Sequence, residues 1–128
     1  MIVGECGEGL PIYEAEGGSL LRWKYRGILT ETNGECPNFF PLGDMWVLLN
    51  GIIGNGVRYD IGEFDIEKLK FTSARSGVLD QNSSFAGLYG TNIIVDDKNR
   101  CILLGALFWI CRWQDLPRLH GNASSSVS

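Results

Sequence analysis

The chain has 128 residues, a length that fits one folded domain. Hydrophobic residues make up 45% of it, so it can bury a core and is not expected to be disordered. The 17 glycines follow no three-residue repeat, which excludes collagen and favours short strands joined by tight turns. The net charge is −4, and the most basic segment (22–26) alternates as a strand would. Nucleic acid is therefore not an expected partner, because phosphate binding needs a clustered basic face.

Nothing in the sequence directs the chain to a membrane or an export route. The first residues carry Glu5 where a signal peptide would carry basic residues, and their apolar run is short. The longest apolar stretch, residues 101–111, is far below the ~20 residues that a membrane span needs. We therefore expect no membrane partner and, by default, a cytoplasmic location.

Period-two alternation of apolar and polar residues predicts the first strands. Residues 21–26 alternate until Gly27, and the apolar run 45–49 is typical of a strand buried on both faces. Residues 57–64 alternate again. Trp23 lies within this periodic pattern, so we expect it to be buried and Trp23→Ala to cost about 3–5 kcal/mol.

The second half of the sequence predicts a further hairpin. Residues 91–95, which end in Ile93-Ile94-Val95, and residues 101–104 flank the polar turn 96–100, while residues 65–69 are too short for more than a turn. We expect 101–104, like 46–49 and 57–64, to be a core strand. Turn signals about every 8–12 residues indicate an all-β sandwich, barrel or propeller. The small, polar tail 119–128 is predicted to be disordered.

The cysteines and the single histidine do not form a recognisable metal or catalytic motif. Cys6, Cys36, Cys101 and Cys111 lack the close pairs of a zinc site, so reduced thiols are favoured, although a disulfide among them stays open. His120 lies beside the polar tail, which argues against a histidine-dependent triad. We therefore predict no metal and no cofactor.

An ordered series of short motifs carries a family resemblance. The motif Leu-x-x-Trp-x-Tyr-x-Gly at 20–27 is followed by Glu-Cys-Pro at 35–37, Tyr-x-Ile-Gly-x-Phe-Asp at 59–65, and Leu-Asp at 79–80 leading to Phe85. This series resembles the central part of glycoside hydrolase family 32, the β-fructofuranosidases (invertases, levanases and inulinases). The resemblance implies antiparallel four-stranded blades of a five-bladed β-propeller, of which residues 1–118 would supply about two blades.

The resemblance also implies site residues and a substrate. Glu35 would be the general acid/base of a retaining glycosidase acting on sucrose or fructans, an enzyme that needs two carboxyl groups ~5–5.5 Å apart. Cys36, Asp60, Asp80 and Phe85 would lie in the substrate-binding region. Asp60 or Asp80 would be the nearest carboxyl neighbour of Glu35.

The sequence departs from the family in ways that predict an inactive isolated chain. The family's nucleophile lies in an Asn-Asp-Pro motif and its transition-state stabiliser in an Arg-Asp-Pro motif, and neither motif occurs here. The family's Phe-Tyr-Ala is read here as Phe85-Ala86-Gly87, without the tyrosine hydroxyl. The chain reads like a fragment whose activity would require a complementing propeller chain.

The alternative is a non-catalytic carbohydrate-binding or self-assembling β module. Its contact face would use aromatic side chains that otherwise belong to the core, namely Trp23, Trp46, Tyr59, Trp109 and Trp113. The incomplete set of blades also predicts a homo-oligomer driven by residues 107–113.

Overall fold

The computed structural model describes residues 1–4, 7–52, 56–79 and 86–109, and this part of the chain is all-β with antiparallel sheets. A single 3-10 turn, Glu16–Gly18, follows the first strand. The strands are β1 (Leu10–Ala15), β2 (Trp23–Thr30), β3 (Glu35–Leu42), β4 (Met45–Ile52), β5 (Gly56–Asp65), β6 (Lys70–Val78), β7 (Ala86–Val95) and β8 (Cys101–Trp109).

The strands form one four-stranded sheet and two hairpins, all with neighbouring strands in sequence order. The central sheet has the order β3-β4-β5-β6, and β1-β2 and β7-β8 are two-stranded sheets. Short polar turns produce this meander, as predicted. The Asp65 carboxylate accepts the N–H groups of Glu67 and Lys68 after β5. Asp96 likewise accepts those of Lys98 and Arg100 between β7 and β8.

The core lies on both faces of the central sheet, because alternate residues of β4 point in opposite directions. On one face Leu48 is buried with Leu10 and Leu29 of the β1-β2 hairpin. On the other face Val47 and Leu49 form a cluster against which Ile93 of β7 packs. The predicted burial of β4 on both faces is confirmed: each face is covered by a different hairpin.

Aromatic rings anchor the face that contacts the β1-β2 hairpin. Phe39 stacks on Trp46 with ring centroids 4.7 Å apart, and Phe64 and Phe71 meet Phe39 edge-on at 5.1 and 5.2 Å. Tyr59 packs against the cluster on the opposite face. Trp46 and Tyr59 therefore belong to the core rather than to a free contact face.

Two expectations about burial are wrong, and both concern the hairpins. The Trp23 side chain is 36% exposed and its indole N–H donates to the Leu20 carbonyl. Residues 23–26 of β2 are all exposed, because the hairpin is buried only toward its other end, where Leu10 and Leu29 lie. Residues 101–104 form part of a strand, yet Ile102 and Leu104 are exposed, because in the described part of the chain no sheet covers the outer face of β7-β8.

Several expectations fall on residues outside the described ranges. These are the disordered tail 119–128, the residues 110–113 of the segment expected to drive assembly, the histidine at 120, and the cysteines at 6 and 111. Cys36 and Cys101 are free thiols. No helix within the described ranges is long and apolar enough to cross a membrane.

Candidate functional site

Glu35 is the first residue of β3, and the connection before it (31–34) packs against β4. The amide of Gly34 donates to the Asn33 side chain at 2.9 Å, and Glu35 pairs with Gly51 of β4. A Cβ on Gly34 would lie 2.8 Å from Cβ of Asn50, closer than carbon atoms approach, so glycine lets this connection pack directly on β4. The backbone of Glu35 is therefore held in a fixed position at one end of the central sheet.

Tyr89 of β7 holds the Glu35 carboxyl from the neighbouring sheet. Its hydroxyl donates to Oε2 of Glu35. The phenol ring lies over Gly51, where a Cβ would be 3.0 Å from Cζ and 3.1 Å from Oη of Tyr89. Because Gly51 has no side chain, the Tyr89 ring can lie against β4. This position lets Tyr89 contact Glu35, which is 54 residues earlier in the sequence.

Asn38 ties β3 to β7 beside this pair. Its Nδ2 donates to the carbonyl of the buried Thr91 at 2.6 Å and to the carbonyl of Cys36 at 3.0 Å. Cys36 has a left-handed φ of 46°, which accompanies the irregular register between Glu35 and Asn38. This bulge turns Asn38 and Glu35 toward β7, as bulges commonly do next to functional sites.

The partner of the Glu35 carboxyl is a neutral phenol. Within the described residues, no basic side chain forms an ion pair with Glu35, and Oε1 makes no hydrogen bond. Glu35 is partly exposed. A half-exposed carboxyl with one oxygen held and the other unengaged is able to hydrogen-bond a hydroxyl or ether oxygen of a ligand and to exchange a proton with it.

Asp60 lies on the opposite face of the central sheet from Glu35 and does not join this site, which leaves the alternative carboxyl neighbour, Asp80, outside the described residues. Asp60 pairs with Leu48, whose face contacts the β1-β2 hairpin, whereas Glu35 turns to β7. The Asp60 side chain is 1% exposed and accepts Nε and Nη2 of Arg58 at 2.9 and 2.8 Å, with Oγ of Ser73 at 3.0 Å. The hydrogen bond with Asp60 raises the pKa of Arg58 above its ordinary value. The Asp60 carboxylate is thus the buried member of a structural ion pair with the partly exposed Arg58.

The other predicted site residues divide into two groups. Cys36 lies next to Glu35 and is exposed. Asp80 and Phe85 lie outside the described residues. In the ranges that the structure describes, no group of three His, Cys, Asp or Glu side chains is arranged to hold a metal ion.

Sequence reasoning missed Tyr89, Asn38 and Thr91. Their contacts join strands that are distant in sequence, so local alternation carries no trace of them. One signal was present: Leu88-Tyr89-Gly90 is a tyrosine between an apolar and a small residue, placed before the apolar strand residues 93–95. Comparison of the chain with protein-family models, with curated proteins and with solved structures finds no match.

Proposed function

We propose that this chain is part of a β-fructosidase-like propeller, in which Glu35 is the general acid/base and a fructose-containing saccharide is the ligand. The observation that carries the proposal is the Glu35–Tyr89 pair. It joins the first strand of one sheet to the first strand of the next. The blades of a propeller surround a central channel, and in this proposal the contact between the first strands of two successive blades borders that channel.

The layer arrangement supports the propeller part of the proposal. Four-stranded antiparallel meanders packed face to face are the units of a β-propeller. Here one meander, β3-β4-β5-β6, has the β1-β2 hairpin packed on one face and the β7-β8 hairpin on the other. We interpret these hairpins as the last strands of a preceding unit and the first strands of a following one. On this reading the eight strands amount to two blades of five, divided as half, whole and half.

The chemistry assigned to Glu35 follows from the free oxygen of its carboxyl. Tyr89 holds Oε2, which leaves Oε1 to donate a proton to the leaving glycosidic oxygen and later to accept one from water. Leu88-Tyr89-Gly90 supplies the tyrosine hydroxyl of the family's Phe-Tyr-Ala motif that Phe85-Ala86-Gly87 lacks. Tyr89 is a positioning residue in this proposal.

The chain on its own is proposed to bind the saccharide without cleaving it. A retaining glycosidase forms a covalent bond between a second carboxylate and the anomeric carbon, and the Asn-Asp-Pro motif that carries this nucleophile is not in the sequence. Asp60 does not replace it, because Arg58 and Ser73 occupy its oxygens. A complementing propeller chain with the nucleophile is the partner that activity would need.

The proposal is tested by incubating the chain with sucrose and with short-chain inulin, and by measuring both released fructose and binding. We expect saturable binding by calorimetry and no fructose. Glu35→Gln and Tyr89→Phe should each weaken binding, whereas Glu63→Gln, an exposed carboxyl elsewhere on β5, should leave it unchanged. Fructose release by the chain alone would contradict the claim that it lacks a nucleophile. Equal binding by all three variants would contradict the assignment of the binding site to Glu35 and Tyr89.

A specific observation favours a second candidate, a non-catalytic carbohydrate-binding module. Trp23 and the 54%-exposed Tyr25 lie on the free face of the β1-β2 hairpin, and the Tyr25 ring is 5.6 Å from that of Tyr13. Exposed aromatic rings of this kind stack on sugar rings. Loss of saccharide binding in Trp23→Ala, but not in Glu35→Gln, would support this candidate over the glycosidase site.

A further inference from the structure

The outer edge of β8 is an unprotected strand edge. Within the described ranges β8 pairs only with β7, so its second row of backbone N–H and C=O groups has no partner strand. The strand is nine residues long and contains no charged residue and no proline. An edge of this composition is a template for pairing with another strand.

The other sheet edges of the same structure carry protection. Pro37 and Pro41 interrupt the edge strand β3, and Lys70 and Arg75 lie on the edge strand β6. Lys24 and Arg26 lie on β2, and residues 1–3 already bond to the free edge of β1. The inner edge of β7 approaches β3, where the Thr91 carbonyl accepts from Asn38. Among the described strands, β8 is therefore the edge strand without such protection.

The face of the hairpin next to this edge is apolar. Ile93 packs on the central sheet, so the residues that alternate with it point outward. Ile94 and Ile102 are directly opposite each other on that outer face, and Leu104 lies two residues further along β8. Their side chains are 40–49% exposed. We call Ile94, Ile102 and Leu104 the outer patch.

We propose that β8 pairs in antiparallel fashion with β8 of a second copy of this chain, giving a continuous sheet β7-β8-β8-β7. Charge is the reason for choosing a second copy. Self-pairing across a two-fold axis places a strand against itself, so a charged strand would oppose like charges, and neither β7 nor β8 has any. The product has four strands, as the central sheet does. This proposal concerns the chain on its own and does not depend on the proposed glycosidase function; a complementing chain that completed the β7-β8 unit would compete with the second copy for the β8 edge.

The test measures the mass of the full chain in solution by sedimentation equilibrium across a wide range of concentrations. We expect a concentration-dependent shift from 14.2 kDa to twice that value. Leu104→Lys in the outer patch should raise the dimer Kd by roughly two- to fivefold, because the pairing would then bring two lysines, one from each copy, close together across the new strand pair. Leu21→Lys is the matched control, since Leu21 is 92% exposed and lies outside every strand.

Amide hydrogen exchange provides a second readout that does not depend on a substitution. Edge amides of residues 102–106 should become protected as the dimer forms, while β7 amides paired with β8 stay protected throughout. A wild-type chain that remains monomeric at high concentration would overturn the proposal. Protection of the β8 edge in such a monomer would do the same, because residues 110–128 would then be the occupant. An equal Kd for Leu104→Lys and Leu21→Lys would also refute it, provided both show the wild-type circular dichroism spectrum.

Discussion

Gly51→Ala tests how the Glu35–Tyr89 pair is assembled. Gly51 is buried, and a Cβ at this position would lie 3.0 Å from Cζ, 3.1 Å from Cε2 and 3.1 Å from Oη of Tyr89. Contacts between unbonded carbon atoms settle near 3.5 Å or more, so the ring must move by several tenths of an ångström. Such overpacking costs about 1–3 kcal/mol.

The expected free-energy change has a second, opposite contribution. Alanine in a strand is favoured over glycine by roughly 0.5–1 kcal/mol, because glycine loses more backbone freedom on folding. Gly51→Ala should therefore lower the free energy of unfolding by about 0.5–2 kcal/mol in the wild-type background. In a Tyr89→Ala background the ring is absent, and the same change should instead raise it by roughly 0.5–1 kcal/mol.

The assay is a double-mutant cycle from urea unfolding curves followed by circular dichroism. Tyr89→Phe is the third background, since it removes the hydroxyl and keeps the ring carbons that Cβ would meet. Gly51→Ala should remain destabilising there. A cost of the same sign and size with tyrosine, phenylalanine and alanine at position 89 would refute the packing of the Tyr89 ring on Gly51.

Three further outcomes follow from burial and hydrogen bonding. Leu48→Ala should cost about 2–5 kcal/mol, since Leu48 is fully buried, whereas Trp23→Ala should cost only about 1 kcal/mol; equal costs in urea curves would contradict this difference. Asn50→Leu should leave stability unchanged or raise it by about 1 kcal/mol, because the buried carboxamide has no hydrogen-bond partner among the described residues; a cost above that size in the same assay would show that the amide is needed. The pKa of Asp96 is lowered mainly by the backbone N–H of Arg100, so the β7-β8 turn should be stable above the ordinary aspartate pKa of about 3.9 and loosen as pH falls through the lower folded value. NMR shifts of the turn amides should follow that acid transition, and Asp96→Asn should abolish it.

The strands and turns of this protein were predictable because their signals are local. The apolar run of β4 between polar turns indicated a strand buried on both faces, and it is buried so. The polar segments 65–69 and 96–100 indicated turns, since aspartate side chains satisfy the backbone N–H groups that follow them. Alternation and turn chemistry act within a few residues, so the sequence alone carries them.

Burial of the hairpins and assembly of the site were decided only by the tertiary structure. Trp23 alternates like a core residue, yet it lies at the exposed end of the β1-β2 hairpin, away from the buried Leu10 and Leu29. Asp60 and Glu35 both belong to strands of the central sheet. Alternate side chains of a strand point to opposite faces, so these two carboxylates lie on different faces of the sheet. Tyr89 reaches Glu35 because Gly51 leaves room for its ring, a contact between three strands that no local pattern encodes.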